Sequence, residues 1–309
     1  MHRAGILTLT LGISMALAGC GSTAPGTTNG HSSTVASTTT APEPSSTPRT
    51  ASPAPTGHGI PRPDHIVLVV LENKSYDEVV GRPEAPFLNS LERAGALFTQ
   101  SYAITHPSQP NYLALFSGST QGVTDDSCPQ TLGTPNLGQS LLDAGKSFTG
   151  YSEDLPAVGY TGCSAGQYGR KHAPWVNFSN LPATVNQPMS AFPTDPATLP
   201  TVSFVIPNLD HDLHDGTLTQ ADQWLRDHLA HYAGWAPTHN SVLIITNDED
   251  DFTQVNQIAT MIVGAHVVPG QYAKHIDHFS LLRTIEDAYG LPRLGASARA
   301  RPITEIWSR

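Results

Sequence analysis

Positive charge is scarce in this 309-residue chain: 16 Lys and Arg stand against 26 Asp and Glu, a formal net charge of −10. No Lys/Arg-rich face is visible, which excludes the electrostatic footprint of a nucleic-acid binder. Cysteine is scarcer still, at three residues, and none has the neighbouring Cys or His that metal ligation or a thiol nucleophile would need. Beyond the first 20 residues no apolar run is long enough to cross a membrane as a helix. Length is not lacking, because one domain of about 245 residues can bury a full core. An acidic balance also suits a protein whose carboxylates hold cations.

The start, "MHRAGILTLTLGISMALAGC", has a basic beginning, a short apolar stretch and small residues before Cys20. "LAGC" resembles the lipobox of bacterial lipoproteins, so residues 1–19 are expected to be a signal peptide and Cys20 a lipidated first residue. Residues 20–61 are rich in Ser, Thr, Pro, Ala and Gly and read as a disordered tether. Residues 62–309 form the domain, displayed outside the cytoplasmic membrane on a lipid anchor. With Cys20 so assigned, Cys128 and Cys163 are an even pair in an oxidising compartment and are expected to form a disulfide.

Within the domain "HIVLVVL", "VSFVI", "SVLIIT" and "IATMIVG" are short, continuously apolar and β-branched, which fits buried strands. "PFLNSLERAG", "TQADQWLRDHLAHYAGW" and "FSLLRTIEDAYG" have helical spacing, the last with Gly290 as its stop. The alternation predicts an α/β fold with a mostly parallel central sheet and helices on both faces. Polar and acidic residues gather just past three of the strand ends. The first strand runs into Glu72 and Asn73, the second into "PNLDHDLHDG", the third into "NDEDD". Ligands of open α/β sheets bind beyond the carboxyl ends of the strands, so three such ends deliver oxygen and imidazole groups to one place.

"THPSQPNYLALFSG" places Ser108 between Pro107 and Pro110, just ahead of an apolar helix. Prolines stiffen that turn and keep Ser108 out of the helix proper. The free N–H groups of a helix start favour an anion. Ser108 in that position either caps the helix or meets an anion as a nucleophile.

Taken in order, "LENKSYD", "THPSQPNYLALFSG", "KHAPWVNFSN", "VIPNLDHDLHDG" and "TNDEDD" resemble the phosphoesterase family of bacterial acid phosphatases and phospholipases C, within the alkaline phosphatase superfamily. The chain is most similar to secreted acid phosphatases of the mycobacterial type, which resemble phosphatidylinositol 3-phosphatases. The resemblance implies an alkaline phosphatase-like fold and a metal-dependent phosphomonoesterase acting through a phosphoserine. It implies a divalent ion (Ca²⁺, Mg²⁺ or Mn²⁺) held by Glu72, Asn73, Ser108, Asp248 and Glu249, hard oxygen ligands suited to such cations. Ser108 falls on the nucleophile. His214 is the expected acid for the leaving group, and His278 and His106 are expected to hold phosphoryl oxygens. Asp210 and His214 have the D-x-x-x-H spacing that serves a second metal in the wider superfamily. Where the family has an aromatic residue before its acidic pair, this chain has Asn247.

Lys171 and His172 in "YGRKHAPWVNF" are candidates to receive the phosphate or an anionic lipid headgroup. Trp175 beside them either touches an acyl chain or packs. A disulfide between Cys128 and Cys163 would stiffen this insertion at the mouth of the site. His228, His231 and His239 are read as solvated or structurally satisfied. Two other readings stand beside the acid phosphatase: a phospholipase C-type phosphodiesterase, for which the domain is short, and an inactive anion-binding surface lipoprotein.

Overall fold

The computed structural model describes residues 59–253 and 255–308. The leader, Cys20 and the tether up to residue 58 lie outside the described residues. Strand β1 (His65–Leu71) is followed by α1 (Tyr76–Val79), α2 (Pro86–Ala94), β2 (Ala96–Tyr102), α3 (Ser108–Ser117), α4 (Leu137–Asp143) and β3 (Phe148–Ser152). An irregular stretch then carries β4 (Ser164–Ala165), β5 (Tyr168–Gly169) and β6 (Asn186–Pro188). The chain continues through β7 (Val202–Ile206), α5 (Leu218–Trp235), β8 (Ser241–Asn247), β9 (Gln257–Gly264), β10 (Gly270–Tyr272), β11 (Ile276–Asp277) and α6 (His278–Tyr289).

The central nine-stranded sheet has the order β10-β2-β9-β8-β1-β7-β3-β6, with β11 beside β2. Its pairings are parallel except the two that β9 makes, with β2 and β8. The reason lies in the link from β8 to β9: residues 248–256 are fewer than the dozen or so that a parallel crossover needs. Helices cover both faces. Ile66, Leu68 and Val70 of β1 pack with Leu113 and Phe116 of α3, Leu141 of α4 and Leu282 and Ile285 of α6. The alternate residues Val67, Val69 and Leu71 pack with Leu88 and Leu91 of α2 and Trp224, Leu225 and Leu229 of α5. That period-2 division is what a strand buried on both faces dictates.

Helix α3 is buried along its whole length. It starts one turn earlier than the prolines suggest, because Ser108 is its first residue and Pro107 its cap. Pro110 is tolerated in that first turn, where backbone N–H groups have no intrahelical partner. The helix stops at Gly118, whose φ of +71° suits glycine. Among the described residues no helix is long and apolar enough to cross a membrane.

Candidate active site

Strands β1, β2, β7 and β8 all point the same way, so their carboxyl ends share one edge of the sheet. Glu72 and Asn73 follow β1 directly, and Asp248 and Glu249 follow β8. The turn after β2 is clamped by Asn111, whose Oδ1 accepts the backbone N–H groups of Ile104 and Thr105, each at 3.0 Å. That clamp delivers Ser108 to the same edge. Its hydroxyl does not cap α3; it donates to Glu72 Oε2 at 2.7 Å and lies 3.2 Å from Glu249 Oε1. Of the two roles open to Ser108, capping is therefore set aside.

Glu72, Asp248 and Glu249 are all buried, three carboxylates in one pocket. Burial raises the pKa of Glu72, with Asp212 adding to the rise and His172 opposing it. Burial, then the charges of Glu72 and Glu249, hold Asp248 well above the usual carboxylate range. Glu249 is raised by burial and eased by His106. Three atoms here, Glu72 Oε1, Asn73 Oδ1 and Asp248 Oδ2, are buried without a hydrogen-bond partner. Asn73 adopts a left-handed backbone (φ +42°), which asparagine tolerates. Clustered carboxylates with orphaned hard oxygens are what a divalent cation satisfies, so the donor set fits such an ion. A further group, Glu72, His172 and His214, has ligand atoms within 4.8 Å of one another, close enough to hold a metal ion.

The histidines take more varied places than the sequence suggests. His106, expected at the phosphoryl oxygens, has Nδ1 2.6 Å from Glu249 Oε2 and Nε2 3.1 Å from the Thr253 carbonyl. It orients Glu249 instead. His278 is buried, with Nε2 2.6 Å from the Asp248 carbonyl and a pKa lowered by that burial, so it lies behind the acidic pair. His172 is not part of an exposed basic turn; its ring is buried against Tyr112, centroids 5.1 Å apart. Its Nε2 approaches Glu72 Oε1 to 3.1 Å without the alignment of a hydrogen bond, and burial pushes its pKa down to about 4. Asp212, 3.0 Å away on the other ring nitrogen, is pushed up to about 8, again by burial.

Lys171 and His214 form a half-buried pair beside this core, Nζ to Nε2 3.1 Å. An ammonium can only donate, so His214 Nε2 accepts and its own proton sits on Nδ1, 2.8 Å from Asp215 Oδ1. Burial works against the Lys171 charge, but Asp126 and Glu72 outweigh it and its pKa is raised. Asp210 turns away to Gln167, 2.9 Å, and does not join the group around Glu72. Trp175 packs, buried, with its indole N–H on Asn186 Oδ1 at 2.8 Å. Asn247, standing where the family has an aromatic residue, donates to the Glu72 carbonyl at 3.4 Å. Cys128 and Cys163 are bonded to each other.

Three residues of the site went unread in the sequence. Tyr112 follows Ser108 by four residues, one helical turn, so its placement was open to a spacing argument. Asp212 lies inside "DLHD" but is masked there by its neighbours. Asp126 sits in a loop with no periodic signal; it accepts the Gln109 backbone N–H at 2.9 Å, next to Ser108.

Residues 82–292 match the model of the phosphoesterase family. The chain is 56% identical over 246 residues to the phosphatidylinositol-3-phosphatase of Mycobacterium tuberculosis, covering 79% of this chain and 82% of that protein. It is 30% identical over 252 residues to the phosphate-repressible acid phosphatase of Penicillium chrysogenum, covering 75% of this chain and 60% of the fungal protein. In fold it is similar to a crystal structure of an alkaline phosphatase superfamily protein from Vibrio parahaemolyticus. That likeness has a TM-score of 0.55 at 14% identity, covering 82% of this chain and 72% of the other. The chain belongs to the phosphoesterase family and is a phosphoric ester hydrolase.

Proposed function

We propose that this domain is a metal-dependent acid phosphatase that hydrolyses phosphomonoesters through a phosphoserine at Ser108. The observation that carries the reading is the Ser108 hydroxyl, at the start of α3, aimed at two buried carboxylates. Glu72, Asn73, Asp248 and Glu249, with Ser108 itself, are the residues that would hold a divalent cation. Bound there, such an ion supplies charge neutralisation and favours the serine alkoxide. Calcium, magnesium and manganese suit these oxygens.

In the first half-reaction Ser108 Oγ forms a bond to phosphorus, the bond from phosphorus to the ester oxygen breaks, and the serine proton passes to Glu72. The departing alkoxide takes its proton from the Lys171–His214 pair, whose nitrogens share one hydrogen. Water then attacks phosphorus and gives one proton to the Lys171–His214 pair, while the bond from phosphorus to Ser108 Oγ breaks, Ser108 recovers the proton that Glu72 held, and inorganic phosphate is released. Lys171 and the start of α3 counter the charge on the phosphoryl oxygens. The name of the mycobacterial relative supports phosphatidylinositol 3-phosphate as substrate. The leader, Cys20 and the tether support a lipid-anchored enzyme on the outer side of the cytoplasmic membrane.

Hydrolysis of p-nitrophenyl phosphate beside its bis ester, with and without EDTA, tests the reading in wild type and Ser108→Ala. Monoester turnover lost with EDTA and with the alanine supports it. Diester turnover moves the enzyme to the phospholipase C side. No turnover of either ester, across added divalent metals, leaves an anion-binding lipoprotein.

A further inference from the structure

Asp212 is fully buried and touches three parts of the site. Its Oδ2 lies 3.0 Å from His172 Nδ1. Its Oδ1 accepts the backbone N–H of His214 at 2.8 Å, and its carbonyl accepts the backbone N–H of Glu72 at 2.6 Å. Each carboxylate oxygen thus meets a different nitrogen.

The His172 ring is held on every side. Tyr112 lies against one face at an interplanar angle of 15°. Glu72 faces Nε2, Asp212 faces Nδ1, and the His214 ring stands 5.7 Å away, centroid to centroid. The two nitrogens of a neutral imidazole differ, and which one carries the proton is set by the partner of the other. A cation bound beside Glu72 favours the ionised form of Asp212 against its raised pKa, and that carboxylate then places the proton on Nδ1 and leaves the Nε2 lone pair free beside Glu72. The orphaned Nε2 and the orphaned Glu72 Oε1 are then both acceptors turned to one point, which suits a shared cation.

We propose that Asp212 is a positioning residue, which holds His172 as the Nδ1–H tautomer and fixes the His214 backbone, so that both imidazoles face Glu72. The inference rests on the phosphatase reading for its consequence in turnover, but not for the tautomer itself. Were Asp212 to donate to Nδ1 instead, Nε2 would carry the proton toward Glu72, and no lone pair would remain for a cation.

Asp212 uses a different oxygen for each partner, and in an asparagine one of those two places is taken by an amide nitrogen, which donates and cannot accept from His172 or from the His214 backbone. Asp212→Asn is expected to weaken Mg²⁺ binding, read by calorimetry, roughly 10–100-fold, as loss of a carboxylate behind a ligating histidine does elsewhere. Turnover of p-nitrophenyl phosphate falls in kcat by a similar factor, with KM moving far less.

The deciding readout is the ¹⁵N spectrum of the His172 ring in the Mg²⁺-loaded full-length protein. A protonated Nδ1 and an unprotonated Nε2 in wild type, with that pattern lost in Asp212→Asn, is the expected result. An unprotonated Nδ1 in wild type overturns the proposal, even if the variant does not fold. A folded variant with wild-type Mg²⁺ affinity and an unchanged His172 spectrum overturns it as well. Ser108→Ala reports on the phosphatase reading separately, because the tautomer and Mg²⁺ affinity are read without turnover.

Discussion

Lys171 Nζ lies 2.9 Å from Asp126 Oδ2, and the other oxygen of Asp126 accepts the backbone N–H of Gln109, the residue after Ser108. One carboxylate from a loop therefore ties the cationic group of the site to the start of α3. It does for α3 what a cap residue within the chain usually does, since Pro107 has no hydroxyl or amide to offer. Asp126→Ala leaves the Gln109 N–H unpaired and Lys171 free to swing. Loss of the cap costs about 1 kcal/mol of stability. The looser Lys171 lowers kcat/KM for p-nitrophenyl phosphate about tenfold, the scale of losing a group that orients a site residue. Steady-state kinetics beside a urea melt separates the two effects; unchanged kinetics in a folded variant would remove Asp126 from the site.

The disulfide joins the two segments that carry this pair, since Cys128 follows Asp126 by two residues and Cys163 precedes Lys171 in the irregular stretch. Arg170 reinforces the join, its guanidinium donating to the carbonyls of Thr161, Gln130 and Val176 and to Asn177 Oδ1. Replacing both cysteines by serine is expected to lower stability by roughly 2–5 kcal/mol. Activity should be lost at a lower temperature than far-UV circular dichroism, because Asp126 and Lys171 lose their tie before the sheet melts. Coincident loss of activity and secondary structure in the double variant would show that the bridge supports the fold alone.

Chelation tests the carboxylate cluster independently of turnover. Glu72, Asp248 and Glu249 are buried together, their charges countered only in part by the imidazoles of His172 and His106. Their repulsion is a standing cost that a bound cation offsets. With the metal at a hundred times its dissociation constant, linkage gives about 2.7 kcal/mol of stabilisation. EDTA should therefore lower the thermal midpoint of the wild type. In Glu72→Gln, where one charge and one orphaned oxygen are gone, the shift should shrink. An equal midpoint with and without EDTA in the wild type would mean that no metal is held there.

The strands buried on both faces were legible because β-branched runs such as "HIVLVVL" and "VSFVI" admit little else. Their bounds, His65–Leu71 and Val202–Ile206, are the same in the structure. Strands β2, "ALFTQSY", and β3, "FTGYS", mix in polar residues that the sheet pairs internally, as Ser101 does with Thr260 at 2.7 Å, so no apolar pattern announced them. Within the site, residues placed directly at strand ends were readable, because sequence adjacency to a buried strand fixes where a side chain emerges. That holds for Glu72, Asn73, Asp248 and Glu249. Residues placed by loops were not, since a loop's path depends on tertiary contacts absent from its spacing. Asp126 belongs to that class, as does the burial of His172, which is set by Tyr112 and Asp212 rather than by its basic neighbours.

Away from the site, Glu286 of α6 gives a pH dependence whose sign can be worked out. It is fully buried, its Oε1 accepting the Leu294 backbone N–H at 2.8 Å and its Oε2 the Ser297 hydroxyl at 2.6 Å. Burial raises its pKa from 4.5 to about 7, and those two bonds only partly oppose it. Below about pH 4.5 the folded and unfolded chains both carry the proton, and the group neither favours nor opposes folding. Between that pH and about 7 the folded protein binds a proton that the unfolded chain has released, so stability falls as pH rises. Above the upper value the cost is complete, roughly 3–4 kcal/mol. Glu286→Gln cannot ionise, so it should lack this portion of the decline while retaining an acceptor for Leu294. Guanidinium unfolding of both proteins from pH 4 to 8 measures it: a wild-type stability that falls faster than the variant's is expected. Parallel curves would mean that Glu286 already ionises in the folded state at an ordinary pH.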